Sequence, residues 1–176
     1  MRILLINPPQ PASMPNKEFL LPPSLLCLAA YVRESGHQPR ILDLNTLRPW
    51  LDGALEGERR ILEAVDQELE RFGPELAGIG CLFGGQFPAV RKIARRIKQL
   101  RPNVPVAIGG LHPTMFAAEI LEHCAEIDLV VLGEGEEALA LLADHLERGA
   151  DGRERIDGLA WRQGGAVRLQ PKTRFI

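Results

Sequence analysis

Four short segments carry the residue types best suited to hold a ligand, and each of them follows an apolar stretch. Three contain glycines: Cys81-Leu82-Phe83-Gly84-Gly85, Gly109-Gly110-Leu111-His112-Pro113-Thr114 and Gly133-Glu134-Gly135-Glu136-Glu137. The fourth, Asn7-Pro8-Pro9, begins a connection with six prolines between positions 8 and 23. Glycine permits close approach of a ligand to the backbone, and proline stiffens a loop. The segments predict a binding rim if the fold brings them to one edge.

The elements that must position these segments are five strands that alternate with helices. The apolar runs at 3–6, 40–44, 77–82, 104–108 and 129–132 are nearly continuous, as in parallel strands covered on both faces. Helical patterns occupy 25–32, 58–72, 90–100, 116–123 and 136–146. The alternation predicts an α/β fold with a flavodoxin-like (Rossmann-like) five-stranded parallel sheet in the order 2-1-3-4-5. Ligands of such sheets bind beyond the carboxyl ends of the strands, where the four segments lie.

The pattern changes after Gly149. Residues 156–162 and 167–170 are short apolar stretches on either side of Gly164-Gly165, which predicts a β-hairpin. We therefore expect residues 1–150 to form the α/β domain and residues 151–176 to form a C-terminal β-hairpin and linker.

Composition excludes several classes of function. The 176 residues have a net charge of −2 and are 45% hydrophobic, which argues against a nucleic-acid or membrane-surface partner. The longest apolar run, 25–32, is too short to span a bilayer. The three cysteines fit neither a zinc site nor a disulfide framework, so we expect reduced thiols in a cytoplasmic protein. Dinucleotide and P-loop glycine motifs are absent, and Asn7-Pro8-Pro9 and Cys81 stand where a phosphoacceptor receiver needs acidic residues.

Individual polar residues allow more than one interpretation. His37, His123 and His145 are expected to be solvated or to lie at helix ends, whereas His112 fits either ligand contact or a loop hydrogen bond. The acidic residues 134, 136 and 137 belong either to the rim or to a helix N-terminus, and Cys81 fits an inert core thiol. The basic face of the helix at 90–100 is expected to be solvated, although a partner surface is possible.

The ordered set of segments resembles the N-terminal cobalamin-binding domain of B12-dependent radical SAM enzymes. The resemblance covers nearly the whole chain and depends on order and spacing rather than on any single motif. The matching stretches are Asn7-Pro8-Pro9, residues 21–37 (LPPSLLCLAAYVRESGH), Ile41-Leu42-Asp43-Leu44, Gly78-Ile79-Gly80-Cys81, Gly109-Gly110-Leu111-His112-Pro113-Thr114, Asp128-Leu129-Val130-Val131, Gly133-Glu134-Gly135-Glu136 and the hairpin stretch 156–162 (IDGLAWR).

The resemblance implies that the corrin ring of cobalamin lies over the carboxyl rim while its nucleotide tail enters a slot between strands. Carried over position by position, the implied contacts are Asn7, Pro8 and Pro9 beside the cofactor; Cys81, Leu82, Phe83 and Gly84 along the tail; Gly109, Gly110, Leu111 and His112 at its phosphate or sugar; and Gly133, Glu134 and Gly135 on the far side.

The chain also departs from related patterns. Cys81 stands where the family often has Ser or Thr, so one hydrogen bond to the tail is in question. No histidine lies in an Asp-x-His-x-x-Gly motif, so the resemblance implies base-off cobalamin without a protein histidine ligand. The Cys-x-x-x-Cys-x-x-Cys motif, which would bind the [4Fe-4S] cluster for S-adenosylmethionine chemistry, is absent from residues 1–176. We expect no catalytic residue and no metal ligand here, and a partner radical SAM barrel in cis or in trans.

The expected function is thus a cobalamin-binding module that is not catalytic alone, in an enzyme for methyl transfer or related radical chemistry. Two alternatives remain open. One is a degenerate flavodoxin-like domain that lost its cofactor and serves as a docking unit through the apolar helix at 25–32. The other is a small enzyme that binds a flavin or another nucleotide at the same sheet edge.

Overall fold

In the part of the chain that the structure describes, the sheet has seven strands, five of them parallel. A computed structural model describes residues 1–11, 14, 21–149 and 152–175. Its parallel strands are β1 (Arg2–Asn7), β2 (Gln38–Asp43), β3 (Leu76–Gly80), β4 (Val106–Gly109) and β5 (Leu129–Val131). The order β2-β1-β3-β4-β5 confirms the predicted topology, and the α/β class is confirmed with it.

The hairpin strands β6 (Leu159–Gln163) and β7 (Ala166–Leu169) correct the predicted strand count. β6 pairs antiparallel with β5, with Val130 opposite Ala160, and β7 pairs with β6. The hairpin therefore extends the main sheet to seven strands instead of standing apart as a separate unit. The pairing buries Ala160 in the core on one face of the sheet and Leu159 and Trp161 in the core on the other, which explains why it forms.

Within the described ranges, six helices cover the sheet: α1 (Pro23–Glu34), α2 (Ala54–Phe72), α3 (Phe87–Leu100), α4 (Leu111–Met115), α5 (Ala117–His123) and α6 (Glu136–Arg148). Short 3-10 turns occupy Leu44–Leu47, Pro49–Leu51, Gly84–Gln86 and Arg153–Arg155. Pro23 is tolerated at the start of α1 because the first turn of a helix needs no amide donor there. Gly73 and Gly149 end α2 and α6 with φ of 58° and 61°, a conformation that favours glycine.

The two faces of the sheet carry separate hydrophobic cores. One core packs the β1, β3 and β4 residues Ile6, Ile79 and Ile108 against α2, α3 and α5. The other packs Ile3, Leu5 and the β5 residues Leu129 and Val131 against α1 and α6. This second face carries the site described below. Among the residues that the structure describes, no helix combines the length and apolar composition that a membrane span requires.

Three expectations about individual elements are corrected. The predicted helix at 116–123 is α5, but the predicted loop before it forms a further short helix, α4, because the chain already turns helically at Leu111 after Gly110. The basic face of α3 is not simply solvated: its cations pair with acidic groups of neighbouring elements, as Arg96 does with Asp66 and Lys92 with Glu58.

His37 is the third correction. It is only 4% exposed rather than solvated, because α6 covers the loop that precedes β2. His123 and His145 do lie in the last turns of α5 and α6, as expected for helix-terminal residues.

Candidate functional site

A cavity of about 600 Å³ opens at the carboxyl edge of the parallel strands. It descends between one face of the sheet and the helices α1 and α6, so it is not a slot between strands. Its sheet wall includes Leu5, Gly78, Ala107 and Val131, and its helix wall includes Leu25, Leu28 and Leu139. We call this space the trough. Its lining is mostly apolar, as is usual for small-molecule sites, and its volume lies within their range of roughly 300–1,000 Å³.

The trough exists because small residues occupy one face of two adjacent strands. β3 ends in Gly78-Ile79-Gly80 and β4 in Ala107-Ile108-Gly109, and these residues pair in register across the two strands. Because side chains alternate between faces along a strand, both isoleucines enter the opposite core while the glycines and the alanine face α1 and α6. The sheet face there has almost no side chains, and the space they would fill remains open.

At the open end of the trough, which we call its mouth, the backbones of the β3 and β4 loops lie close together and form the floor. Gly110 has φ of 118°, and a Cβ atom at this position would lie 2.5 Å from the carbonyl oxygen of Cys81. No other residue type fits there without displacing the β3 loop. The Thr114 hydroxyl donates to the Gly110 carbonyl at 2.8 Å and accepts from the Gly133 amide at 2.9 Å, so it joins the β4 and β5 loops.

The proline-containing wall is held by Asn45, which is 3% exposed. Its side-chain amide donates to the Pro8 carbonyl at 3.0 Å, and its side-chain oxygen accepts from the Gln10 amide at 2.8 Å. Asp43, the last residue of β2, accepts from the backbone amide of Asn45 at 3.0 Å and from the side chain of Asn7 at 2.9 Å. This network holds the residues after β1 in place against the trough.

Gln86 performs the same role for the loop after β3. It is 8% exposed, and its side-chain oxygen accepts from the Leu82 amide at 3.1 Å and from the Phe83 amide at 3.2 Å. The Cys81 thiol donates to the Phe83 carbonyl at 3.6 Å. Burial raises the pKa of the Cys81 thiol to about 12, so the group is a neutral thiol packed in the core and not an activated nucleophile.

The structure brings together most of the residues predicted from the sequence. The predicted residues that line the trough are Asn7, Pro8, Cys81, Leu82, Phe83, Gly109, Gly110, Gly133, Glu134 and Gly135. The other predicted residues, Pro9, Gly84, Leu111 and His112, are not part of its lining. Pro9 is buried in the loop, whereas Gly84 and Leu111 face outward from the rim.

His112 lies beside the trough in an aromatic cluster. Its ring centroid is 5.0 Å from that of Phe87 and 5.0 Å from that of Phe116. These are ordinary distances for packed rings, and they hold the imidazole on the α3 side of the β4 loop. In this structure the His112 imidazole therefore packs against two aromatic rings, and its contact with a ligand stays a prediction.

The far side of the mouth is reinforced by the segment after the hairpin. The aliphatic part of Lys172 packs over Gly133 and Gly158. Asp157 accepts from the Thr173 hydroxyl at 2.6 Å and from the Arg174 amide at 3.0 Å. Hydrogen bonds from the Thr173 hydroxyl and from the backbone amides of Arg174 and Thr173 lower the pKa of Asp157 to about 2. The ionised carboxylate thus fixes this segment beside the β5 loop.

Sequence reasoning missed the residues that create the trough and support its walls. Gly78, Gly80 and Ala107 lie within hydrophobic runs, and the signal in the sequence is the repeated order of small residue, isoleucine and small residue. Asn45 and Gln86 carried no such signal, because their contacts depend on where the adjacent loops pass.

Comparison with known proteins identifies the family of this chain. A family model described as the B12 binding domain matches residues 17–143. A cytidylyl-2-hydroxyethylphosphonate methyltransferase of Streptomyces wedmorensis is 27% identical over 99% of this chain and 34% of its own length. An anaerobic magnesium-protoporphyrin IX monomethyl ester cyclase of Synechocystis is 33% identical over 93% of this chain and 31% of its own length. The chain thus spans about a third of these relatives.

One solved structure shares the fold over almost the full chain. It is the cobalamin-dependent S-adenosylmethionine radical enzyme OxsB with aqua-cobalamin bound, with a TM-score of 0.74 and 16% sequence identity. The alignment covers 99% of this chain and 22% of that protein.

Proposed function

The chain belongs to the B12-binding domain family, and on that premise we propose that it is the cobalamin-binding module of a B12-dependent radical SAM enzyme. The observation that carries the proposal is the trough formed by Gly78, Gly80, Ala107 and Gly109 on one sheet face. An apolar space between leucine side chains and a stretch of sheet almost without side chains, open at the carboxyl edge, suits a flat nucleotide tail. The broad corrin ring then covers the mouth.

The residues at the mouth suit the two parts of such a ligand. The loop residues Leu82 and Phe83 are about half exposed and offer the corrin ring an apolar surface. The glycines at 109, 110, 133 and 135 have no side chains, so the polar part of the tail can approach the backbone closely. Glycine-rich loops also offer amide donors to phosphate. The ten predicted residues that line the trough are the contacts we propose.

We propose that cobalamin binds base-off and without a histidine ligand from this chain. The packing of His112 between Phe87 and Phe116 supports this, because the ring lies outside the trough lining. When bound, cobalt would supply methyl transfer or related radical chemistry. The residues of this chain hold the cofactor, exclude water from its tail and contribute no reacting group, since the Cys81 thiol remains neutral.

The reaction needs components that residues 1–176 do not contain, because they hold no cysteine motif for a [4Fe-4S] cluster. We propose that a radical SAM barrel, joined to this chain or separate, provides the cluster and S-adenosylmethionine. The relatives named as a methyltransferase and a cyclase support this class of chemistry. We also propose a cytoplasmic setting, which the free thiols of Cys27, Cys81 and Cys124 support.

Titration of the purified protein with hydroxocobalamin, followed by visible absorption, tests the proposal. We expect saturation at one equivalent and a shift of the corrin bands to those of base-off cobalamin. Binding with the base-on spectrum would contradict the proposed mode and retain the cofactor. A spectrum unchanged at micromolar protein would leave a docking domain without cofactor, and a copurified flavin would instead indicate a flavin-binding enzyme.

A further inference from the structure

A cluster of ligand-type side chains lies at the edge of the sheet opposite the trough. His37 precedes β2, while Asp144 and Glu147 lie in the last two turns of α6. One ligand atom from each of the three lies within 4.8 Å of the others. Glu136, at the start of α6, lines the trough, and a rise of about 1.5 Å per residue places Asp144 about 12 Å further along the helix. The cluster is therefore separate from the proposed cofactor site.

The His37 ring supplies the observation that points to a ligand. The residue is 4% exposed, and its Nε2 atom is buried without a hydrogen-bond partner among the residues that the structure describes. Asp144 Oδ1 is 3.6 Å from Nε2. This separation exceeds the 2.7–3.2 Å typical of an N–H···O hydrogen bond. Two ligands of one tetrahedral zinc ion, each about 2.0–2.2 Å from the metal, lie about 3.4 Å apart.

We propose that His37, Asp144 and Glu147 bind a divalent transition-metal ion, with Zn²⁺ as the ion that fits best. Ca²⁺ and Mg²⁺ prefer sites made of oxygen atoms, whereas zinc accepts an imidazole nitrogen beside carboxylates. His37 and Asp144 already have the spacing of two such ligands. The Glu147 side chain is 56% exposed and can turn toward the ion once the ion replaces its present partner, the Met1 ammonium.

Two cations of the chain now occupy part of this cluster. The Met1 ammonium donates to Glu147 at 3.0 Å and lies 3.4 Å from His37 Nδ1, while Arg148 lies 3.4 Å from Asp144. A bound metal ion would displace the ammonium from Glu147 and take its place beside the carboxylate.

The ion would connect the start of β2 with the end of α6, two segments far apart in the sequence. Because zinc binds the folded site and not the separated ligands, it stabilises the fold. At a zinc concentration of a hundred times the dissociation constant, we expect the melting temperature to rise by about 5–10 °C.

The test is titration of the metal-free protein with Zn²⁺ in competition with a chromophoric chelator. We expect one equivalent to bind. His37→Gln and Asp144→Asn should each weaken binding by at least about tenfold. His123→Gln and Cys27→Ser, at exposed positions outside the cluster, are matched controls that should bind zinc as the wild type does.

Asp144→Asn keeps the proposal testable if His37→Gln fails to fold, because Asp144 is 38% exposed. Cobalt(II) titration gives a second reading through its visible bands, which report ligand number and geometry. Binding of less than about a fifth of an equivalent, or equal affinity in wild type and Asp144→Asn, would overturn the proposal and leave only an ion pair. Neither result affects the cobalamin proposal, because the proposed cofactor site lies at the opposite edge of the sheet and is tested by a separate titration.

Discussion

Filling the trough from its sheet wall should separate the stability of the fold from its capacity to bind cobalamin. Gly80 is the last residue of β3 and lines the trough. Its φ lies outside the left-handed region, and a Cβ atom there would meet Ile6, Pro8 and Leu25 at 3.8–4.0 Å. These are ordinary van der Waals distances. The series Gly80→Ala, Gly80→Val and Gly80→Leu therefore places increasingly large side chains in the trough without backbone strain.

The two expected effects have opposite signs. Replacing the glycine and filling an apolar cavity should stabilise the ligand-free protein by about 0.5–2 kcal/mol. The same side chain occupies space that the ligand needs. Forcing extra methyl groups into a filled site costs about 1–3 kcal/mol, which corresponds to roughly a 5- to 150-fold rise in the dissociation constant for cobalamin. The loss should increase from Ala to Leu.

Urea unfolding of the ligand-free variants and hydroxocobalamin titration by visible absorption measure the two effects. Ile79→Val is the matched control, because Ile79 adjoins Gly80 but enters the opposite core. It should destabilise the protein by about 0.5–1.5 kcal/mol and leave cobalamin affinity unchanged. A Gly80→Leu protein that is folded and binds cobalamin as tightly as the wild type would refute the placement of the tail in the trough.

Three further predictions concern the supports of the site. Asn45→Ala removes the buried donor to the Pro8 carbonyl and should cost about 1–3 kcal/mol in urea unfolding; an unchanged midpoint would contradict the role of Asn45. With a thiol reagent at pH 8, exposed Cys27 should react within minutes, while Cys81 should react only on unfolding because burial raises its pKa to about 12; labelling at equal rates would contradict this. The pKa of Asp157 is lowered to about 2. Its carboxylate therefore stabilises the fold fully above the ordinary aspartate pKa of about 4, and this stabilisation is lost as the pH falls through 2. Asp157→Asn should therefore be less stable than the wild type at pH 7 and should approach it near pH 2, and a constant difference across that range would show that the carboxylate charge is not involved.

The strand order was predictable because buried parallel strands appear in the sequence as nearly continuous apolar runs. The runs at 3–6 and 77–82 are apolar enough to identify, and the alternation with helices leaves few topologies. The resemblance to B12-binding domains of radical SAM enzymes is confirmed at the level of the family. The pairing of β6 with β5 was not predictable, since nothing in the hairpin sequence specifies which edge accepts it.

The site was predictable in its position but not in its depth. The glycines that follow β4 and β5 identified the edge at which the mouth opens, because parallel strands end together there. The depth of the trough depends on which face of the sheet Gly78 and Ala107 occupy. That can be determined only when the register of the strands is known. His37 was misjudged for a related reason: its burial comes from α6, which follows it by about a hundred residues and leaves no mark on the local sequence.

The trough also explains an asymmetry between the two cores. On the face with Ile6, Ile79 and Ile108, large side chains continue to the carboxyl edge and hold α3 firmly. On the other face, only Leu25 and Val32 of α1 are buried, and Leu28 is half-buried above the trough. A helix packed through so few residues gains contacts when a ligand fills the space beneath it. Ligand binding thus completes this core, so amide hydrogen exchange in α1 should slow with cobalamin while exchange in α3 stays unchanged.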